Sequence, residues 1–107
     1  MKISNSEKPS VIMRRTSSGM SIILNREEAL NSLDLEMVRL ITDYFNEALA
    51  DDECKLIMFY GLGERGFCAG GDIRRLASDM QNNNIDDVNK FFLEEFSLDL
   101  MINRSHK

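Results

Sequence analysis

The chain has 107 residues, the length of one small domain, which can bury about two-thirds of its unfolded surface. The apolar content of 43%, the mean hydropathy of -0.28 and the absence of an apolar run near ~20 residues exclude a transmembrane protein. The net charge of -5 is spread along the chain, which argues against a nucleic-acid surface because such a surface needs a basic face.

Cysteine usage and the N-terminal composition indicate a compartment. The two cysteines, Cys54 and Cys68, show neither metal-ligand spacing nor a disulfide framework, so free thiols and no metal site are expected. Residues 1–10 predict a flexible lead-in, without the apolar core of a signal peptide or the arginines of a transit peptide. A cytoplasmic location is therefore the expectation.

The next part of the chain predicts a hairpin followed by a helix. Val11–Thr16 and Met20–Leu24 are short runs of β type, and the connection Ser17-Ser18-Gly19 is typical of a hairpin. From Asp34, a residue suited to the N-cap, the apolar period changes from two to 3.6. The expected apolar stripe of this helix consists of Leu35, Val38, Ile41, Phe45 and Ala48 or Leu49.

The second half predicts one more strand and two more helices. Lys55–Tyr60 is a continuous apolar run, which favours a strand covered on both faces, as in a βαβ arrangement. Asp72–Met80 predicts a short helix and Asp86 to about Asn103 a long one, separated by a polar loop. The apolar side expected for the long helix consists of Val88, Phe91, Phe92, Leu98 and Ile102. The order β-β-α-β-α-α predicts an α/β fold, and so few strands indicate the first part of something larger.

The segment Gly61–Ile73 holds five of the six glycines in the chain. Gly61, Gly63 and Gly66 match the dinucleotide-binding pattern G-x-G-x-x-G after a strand. In that pattern a helix begins within the glycines and a second strand ends in an acidic residue, whereas here the helix is predicted to begin only at Asp72. The match is therefore interpreted as accidental.

The end of the same segment suits an anion. Gly70 and Gly71 precede a helix whose N-cap would be Asp72, so their amides point outward at the positive end of the helix dipole. Gly71 has no side chain to block a carbonyl from its N–H, which suits a developing oxyanion, and Arg74 can reach a nearby phosphate. Spacing alone leaves open a simpler interpretation, a tight turn between strand and helix.

Two motifs lie about forty residues apart: Leu24-Asn25-Arg26 with Ala29-Leu30-Asn31-Ser32-Leu33, and Gly66-Phe67-Cys68-Ala69-Gly70-Gly71-Asp72-Ile73. Together they resemble the crotonase (enoyl-CoA hydratase/isomerase) superfamily. The resemblance extends over residues 11–107 and implies the N-terminal part of a crotonase-like ββα spiral, an acyl-CoA-binding domain that is incomplete here. One departure is Glu27, where the family usually has proline, and a looser loop is expected there.

The resemblance also implies the roles of individual residues. It implies that the Gly71 N–H is one half of an oxyanion hole for a thioester carbonyl. The residues implied to hold coenzyme A are Ala29, Leu30, Ala69, Gly70, Gly71, Asp72, Ile73 and Arg74. The acyl-CoA is the substrate, so no separate cofactor is expected. The uncovered sheet predicts self-association, and a homo-oligomer is expected.

Within the superfamily, Gly70–Arg74 together with Phe91–Phe96 resembles the 3-hydroxyisobutyryl-CoA hydrolase branch, which implies a thioesterase of valine catabolism. Glu95 falls within the apolar cluster of the last helix. The pattern alone allows a carboxylate at the edge of the helix, and the resemblance implies a substrate contact. Its neighbour Glu94 is expected to face solvent. Pairing of Cys68 as a nucleophile with His106 as its base has no support, since a small buried thiol in a turn is commoner.

The family's second oxyanion N–H and the acid/base carboxylates of the hydrolase branch are expected beyond Lys107. The chain alone is therefore expected to be an inactive fragment of an acyl-CoA enzyme. Three alternatives stay open: an enoyl-CoA hydratase or isomerase, which uses the same oxyanion hole; a nicotinamide-dependent enzyme; and a non-catalytic coenzyme A-binding or assembly module.

Overall fold

A computed structural model describes residues 8–17, 19–64 and 66–107. The strands are β1 (Val11–Arg15), β2 (Gly19–Leu24) and β3 (Leu56–Gly61), and the helices are α1 (Leu35–Ala50), α2 (Ile73–Gln81) and α3 (Ile85–Arg104), with a 3₁₀ turn at Glu27–Ala29. The predicted α/β fold in the order β-β-α-β-α-α is confirmed. Most of the predicted lead-in, Ser18 of the hairpin connection and Arg65 of the glycine-rich segment lie outside the described residues.

The three strands form one sheet in the order β1-β2-β3. β1 pairs antiparallel with β2, as a hairpin requires, and β3 pairs parallel with β2 after the α1 crossover. Thr16 closes the hairpin, since its N–H donates to the Gly19 carbonyl at 3.0 Å and its hydroxyl accepts from the Gly19 N–H at 3.0 Å. The predicted hairpin and βαβ arrangement are confirmed.

The helix α1 packs on one face of this sheet. Its predicted N-cap is confirmed, because the Asp34 carboxylate accepts from the Met37 N–H at 2.8 Å. The main core lies between the inward side chains of the sheet and the helices α1 and α3. Its buried members are Val11, Ile22, Leu24, Met37, Val38, Ile41, Phe45, Phe91 and Leu98.

The prediction that β3 is covered on both faces is wrong. Ile57 and Phe59 point to the core, but Leu56, Met58 and Tyr60 on the other face are 51%, 47% and 39% exposed. The unbroken apolar run arises because both faces of the strand carry apolar side chains. Only one of those faces is covered by the residues that the structure describes.

The last two helices follow their predicted places with one correction. Asp72 caps α2, as predicted, by accepting from the Arg75 N–H at 3.1 Å. In α3 the buried side chains are Val88, Phe91 and Leu98, whereas Phe92 and Ile102, predicted on the same side, are exposed. The buried stripe of α3 is narrower than predicted, and the helices that α3 mainly contacts are α1 and α2.

Candidate active site

Two distant segments meet beside the N-terminus of α2. The residues Leu33 and Gly71 form an isolated parallel β-bridge. The Leu33 N–H donates to the Gly70 carbonyl at 2.7 Å, and the Asp72 N–H donates to the Leu33 carbonyl at 2.8 Å. A third bond joins the Ala69 N–H to the Leu30 carbonyl at 3.1 Å. The two sequence motifs thus lie side by side at one site. We call residues 26–33 the first wall of this site and residues 66–74 the second wall.

Asn31 holds the first wall in shape. It is 1% exposed, and both it and Leu30 adopt the left-handed region, with φ of 57° and 56°. Its side-chain oxygen accepts from the Arg26 N–H at 2.8 Å, and its amide nitrogen donates to the Leu62 carbonyl at 3.0 Å and the Phe67 carbonyl at 3.1 Å. In the sequence Asn31 is part of a motif but has no assigned role. Its position in that motif is the one sequence signal for it, because its left-handed backbone is visible only in the structure.

The first glycine of the glycine-rich segment makes room for Asn31. A Cβ on Gly61 would lie 2.6 Å from the Asn31 amide nitrogen and would also overlap the Phe67 carbonyl oxygen. The helix α2 begins only at Ile73, outside the G-x-G-x-x-G pattern, so the geometry of a dinucleotide site is absent from this part of the described chain. These glycines lead the chain from β3 to the site.

The N–H of Gly71 points away from the bridge. In a parallel bridge the partner residue bonds to the two neighbours of Gly71, so the amide of Gly71 itself faces the other side. Within residues 8–17, 19–64 and 66–107, this N–H donates to no protein group. It lies at the start of α2, where the helix dipole favours negative charge. The arrangement can stabilise an oxyanion.

Glu95 lies next to Gly71. A Cβ built on Gly71 would lie 3.7 Å from the Glu95 Oε2 and 3.3 Å from the ring of Phe91. The side chain is half-buried, and burial first, then repulsion from Asp99, raises the pKa of Glu95 above its ordinary value. The structure therefore brings together the two residues that the sequence analysis proposed for catalysis.

An ion pair links the two walls. The Arg26 Nη2 lies 2.8 Å from the Asp72 Oδ2, and the Arg26 Nη1 donates to the Ser32 carbonyl at 3.0 Å. Burial alone would raise the pKa of Asp72. Hydrogen bonds from the Arg75 N–H and from the Arg26 guanidinium, together with the Arg26 charge, lower that pKa below its ordinary value. The contacts of Asp72 thus favour its charged form although the side chain is buried.

Between the two walls is an open cleft of about 770 Å³. Seven of the eight residues predicted to hold coenzyme A line it: Ala29, Leu30, Ala69, Gly71, Asp72, Ile73 and Arg74. The eighth, Gly70, is not among the residues that line the cleft. Its carbonyl accepts from the Leu33 N–H and so helps to join the two walls. Arg26 and Arg75 bring further positive charge to the cleft, and Glu28 brings a negative charge.

Comparison with known proteins decides the family. A family profile described as Enoyl-CoA hydratase/isomerase matches residues 20–107. The chain belongs to this crotonase family. It is 38% identical over 97 residues to the mitochondrial 3-hydroxyisobutyryl-CoA hydrolase of Bos taurus, covering 91% of this chain and 25% of that protein. This crotonase-family chain therefore spans about a quarter of the length of the bovine relative.

Solved structures agree on the fold. A carnitinyl-CoA dehydratase from Mycobacterium thermoresistibile superposes with a TM-score of 0.88 at 28% identity, over 94% of this chain and 29% of that one. An enoyl-CoA hydratase from Rhodobacter sphaeroides superposes with a TM-score of 0.85 at 29% identity, over 92% of this chain and 29% of that one. The described residues thus have the fold of the N-terminal part of a crotonase-family enzyme.

Three further residues singled out in the sequence, Glu94, Cys68 and His106, lie outside this cleft. Glu94 was predicted to face solvent. It is instead half-buried and accepts two hydrogen bonds of 2.9 Å from Arg39 of α1. Those hydrogen bonds lower the pKa of Glu94. Cys68 and His106 lie in different surroundings: Cys68 packs against the main core, and His106 lines a separate cleft beyond α3.

Two features are absent from the part of the chain that the structure describes. No three His, Cys, Asp or Glu side chains there are grouped so that they could hold a metal ion. No helix there has the length and apolarity that crossing a bilayer requires. The bovine relative is named as mitochondrial, so the cytoplasmic location expected for this crotonase-family chain is not confirmed and stays a prediction.

Proposed function

We propose that the complete protein hydrolyses the coenzyme A thioester of a short branched β-hydroxy acid, as a 3-hydroxyisobutyryl-CoA hydrolase does. The observation that carries this proposal is the Gly71 N–H, which is bonded to no group in the described residues and belongs to a residue that lines the cleft. In the proposed reaction it donates to the thioester carbonyl and stabilises the oxyanion that forms there.

The cleft supports the proposal that this chain binds the coenzyme A part of the substrate. Leu30 and Ile73 give it exposed apolar surface, and Arg74 gives it a cation in the first turn of α2. A pantetheine chain is mostly apolar and amide-like, and the phosphates of coenzyme A are anionic. We therefore expect the pantetheine between the two walls and a phosphate near Arg74.

Glu95 is the proposed contact to the acyl group. Glu95 lies on the α3 side of Gly71. We therefore expect that an acyl group whose carbonyl binds the Gly71 N–H would direct its β-hydroxyl toward the Glu95 carboxyl. A raised pKa keeps a proton on the Glu95 carboxyl to higher pH, and the protonated form can both donate and accept a hydrogen bond. This suits the recognition of a hydroxyl group.

The rest of the site is proposed to lie outside these 107 residues. The family resemblance implies a second oxyanion N–H and the acid/base carboxylates in later parts of the protein. Removal of one oxyanion donor typically lowers kcat by about 10²–10³. The 107-residue chain alone is therefore expected to show no turnover.

The test is an assay of the full-length protein with 3-hydroxyisobutyryl-CoA and crotonyl-CoA, measuring thiol release and hydration separately. We expect faster turnover of 3-hydroxyisobutyryl-CoA, with the 107-residue chain as the inactive control. Faster conversion of crotonyl-CoA would favour an enoyl-CoA hydratase or isomerase, a candidate that the names of the two solved structures support. Binding of coenzyme A without any turnover would favour a non-catalytic module.

A further inference from the structure

Arg26 contacts both walls of the cleft. Its guanidinium reaches the second wall at Asp72, 2.8 Å away, and also donates to the Ser32 carbonyl of its own wall. Its backbone carbonyl accepts from the N–H groups of Ala29, at 3.0 Å, and Asn31, at 2.8 Å. The side chains of Arg26 and Asp72 are 24% and 12% exposed, so solvent screens their ion pair less than it screens a surface pair.

Asp72 divides its contacts between its two carboxylate oxygens. The Oδ1 caps α2 by accepting from the Arg75 N–H, and the Oδ2 pairs with Arg26. The backbone N–H of the same residue donates to the Leu33 carbonyl. The Gly71 N–H belongs to the Gly70–Gly71 peptide, whose carbonyl accepts from the Leu33 N–H. Because Asp72 directly follows Gly71, a shift of Asp72 away from the first wall would strain this peptide and change the direction of its N–H.

We propose that Arg26 is a positioning residue for the oxyanion donor, acting through its ion pair with Asp72. The pair holds the second wall against Leu33, fixes the direction of the Gly71 N–H and sets the width of the cleft. This inference rests on the proposed function in that it assigns the Gly71 N–H to the thioester carbonyl. A small misplacement of such a donor can lower the rate about a hundredfold.

The substitutions Arg26→Gln and Asp72→Asn, each made in the full-length protein, test the pair. Asn is as good an N-cap as Asp, so Asp72→Asn keeps the cap of α2 and removes only the charge. We expect each variant to lower kcat by about tenfold to a hundredfold and to raise KM for the thioester. The double variant should lose no more than Arg26→Gln alone, because Arg26→Gln already removes the pair with Asp72, together with the contacts of Arg26 to Ser32 and Asp34.

Two further variants separate positioning from general damage. Arg26→Lys keeps the charge without the forked geometry and should recover part of kcat. Arg14→Gln, on the exposed end of β1, is the control and should leave kcat and KM unchanged. Multiplicative losses in the double variant, or a wild-type kcat in Asp72→Asn, would overturn the proposal.

Amide hydrogen exchange gives a readout that does not depend on turnover. In the wild type the N–H groups of Leu33 and Asp72 are bonded across the two walls and should be protected. Faster exchange at these two amides in Arg26→Gln, but not in Arg14→Gln, is expected. Unchanged exchange would contradict the proposal. If the wild type turns over no acyl-CoA, the proposed function fails, and the exchange data still decide whether Arg26 holds the second wall.

Discussion

The N–H of Gly71 is bonded to no group in the part of the chain that the structure describes, and the backbone of Gly71 could accept a side chain. Its φ is not in the left-handed region, unlike those of Gly63, Gly66 and Gly70, so alanine there causes no backbone strain. A methyl group at this position would instead press on the ring of Phe91, 3.3 Å away, and lie 3.7 Å from the Glu95 carboxyl. The glycine is needed for space at the site.

The substitution Gly71→Ala should therefore leave the fold intact and impair catalysis. The added methyl group would occupy space beside the N–H and move Phe91 by a few tenths of an ångström. We expect kcat of the full-length protein to fall by about tenfold to a hundredfold with little change in its melting temperature. Steady-state kinetics and thermal unfolding measure the two effects, with Asn46→Ala on the exposed face of α1 as control. Full activity in Gly71→Ala would remove Gly71 from the site.

Glu95 and Glu94 are neighbours whose pKa values shift in opposite directions. Burial raises the pKa of Glu95, and the hydrogen bonds from Arg39 lower that of Glu94. A raised carboxyl pKa means that the folded state is disfavoured as pH rises above the unfolded glutamate pKa of about 4.3. A lowered carboxyl pKa means that the folded state gains stability as pH rises toward about 4.3, keeps that gain at higher pH, and loses it as pH falls through the lowered pKa.

The free energy of unfolding should therefore separate the two residues. Relative to the wild type, Glu95→Gln should become more stable as pH rises from 4 through the raised pKa of Glu95. Glu94→Gln, the matched control, should become less stable as pH rises to its ordinary pKa. Denaturant unfolding of the full-length protein at a series of pH values measures both differences. If the difference in unfolding free energy from the wild type changed in the same direction with pH for both variants, the environments described for these carboxyls would be contradicted.

At the scale of single residues, the sequence indicates candidate site residues more readily than their contact partners. Gly71, Asp72 and Glu95 could be chosen because glycine, an N-cap and a carboxylate within an apolar cluster each carry a local signal. Arg26 and Asn31 could not be assigned roles, because their partners at Asp72 and Leu62 lie more than thirty positions away. Only the bridge between the two walls brings these residues together.

The positions of strands and helices were predicted well from the sequence where a helix cap or a turn sets their ends. The hairpin and the N-caps at Asp34 and Asp72 agree with prediction because each depends on a few adjacent residues. Coverage of a face could not be predicted in this way. The exposed face of β3 and the exposed Phe92 of α3 are apolar in sequence, but burial depends on what packs against them.

In the molecule as a whole, sheet, crossover and glycine-rich segment position one cleft with two walls. The parallel pairing of β2 and β3 places the ends of both strands at the same edge, and both walls follow from that edge. The chain spans about a quarter of the length of its bovine relative, and the remainder of the proposed site is expected in other parts of the protein. The self-association predicted from the uncovered sheet stays a prediction.

The central claim is that an acyl-CoA lies in this cleft with its carbonyl on Gly71. The most direct measurement is a crystal structure of the full-length protein bound to a non-hydrolysable 3-hydroxyisobutyryl-CoA analogue that keeps the carbonyl. The account predicts the carbonyl oxygen at about 2.9 Å from the Gly71 nitrogen, with the pantetheine between Leu30 and Ile73. An analogue bound elsewhere, or one whose carbonyl points away from Gly71, would contradict it.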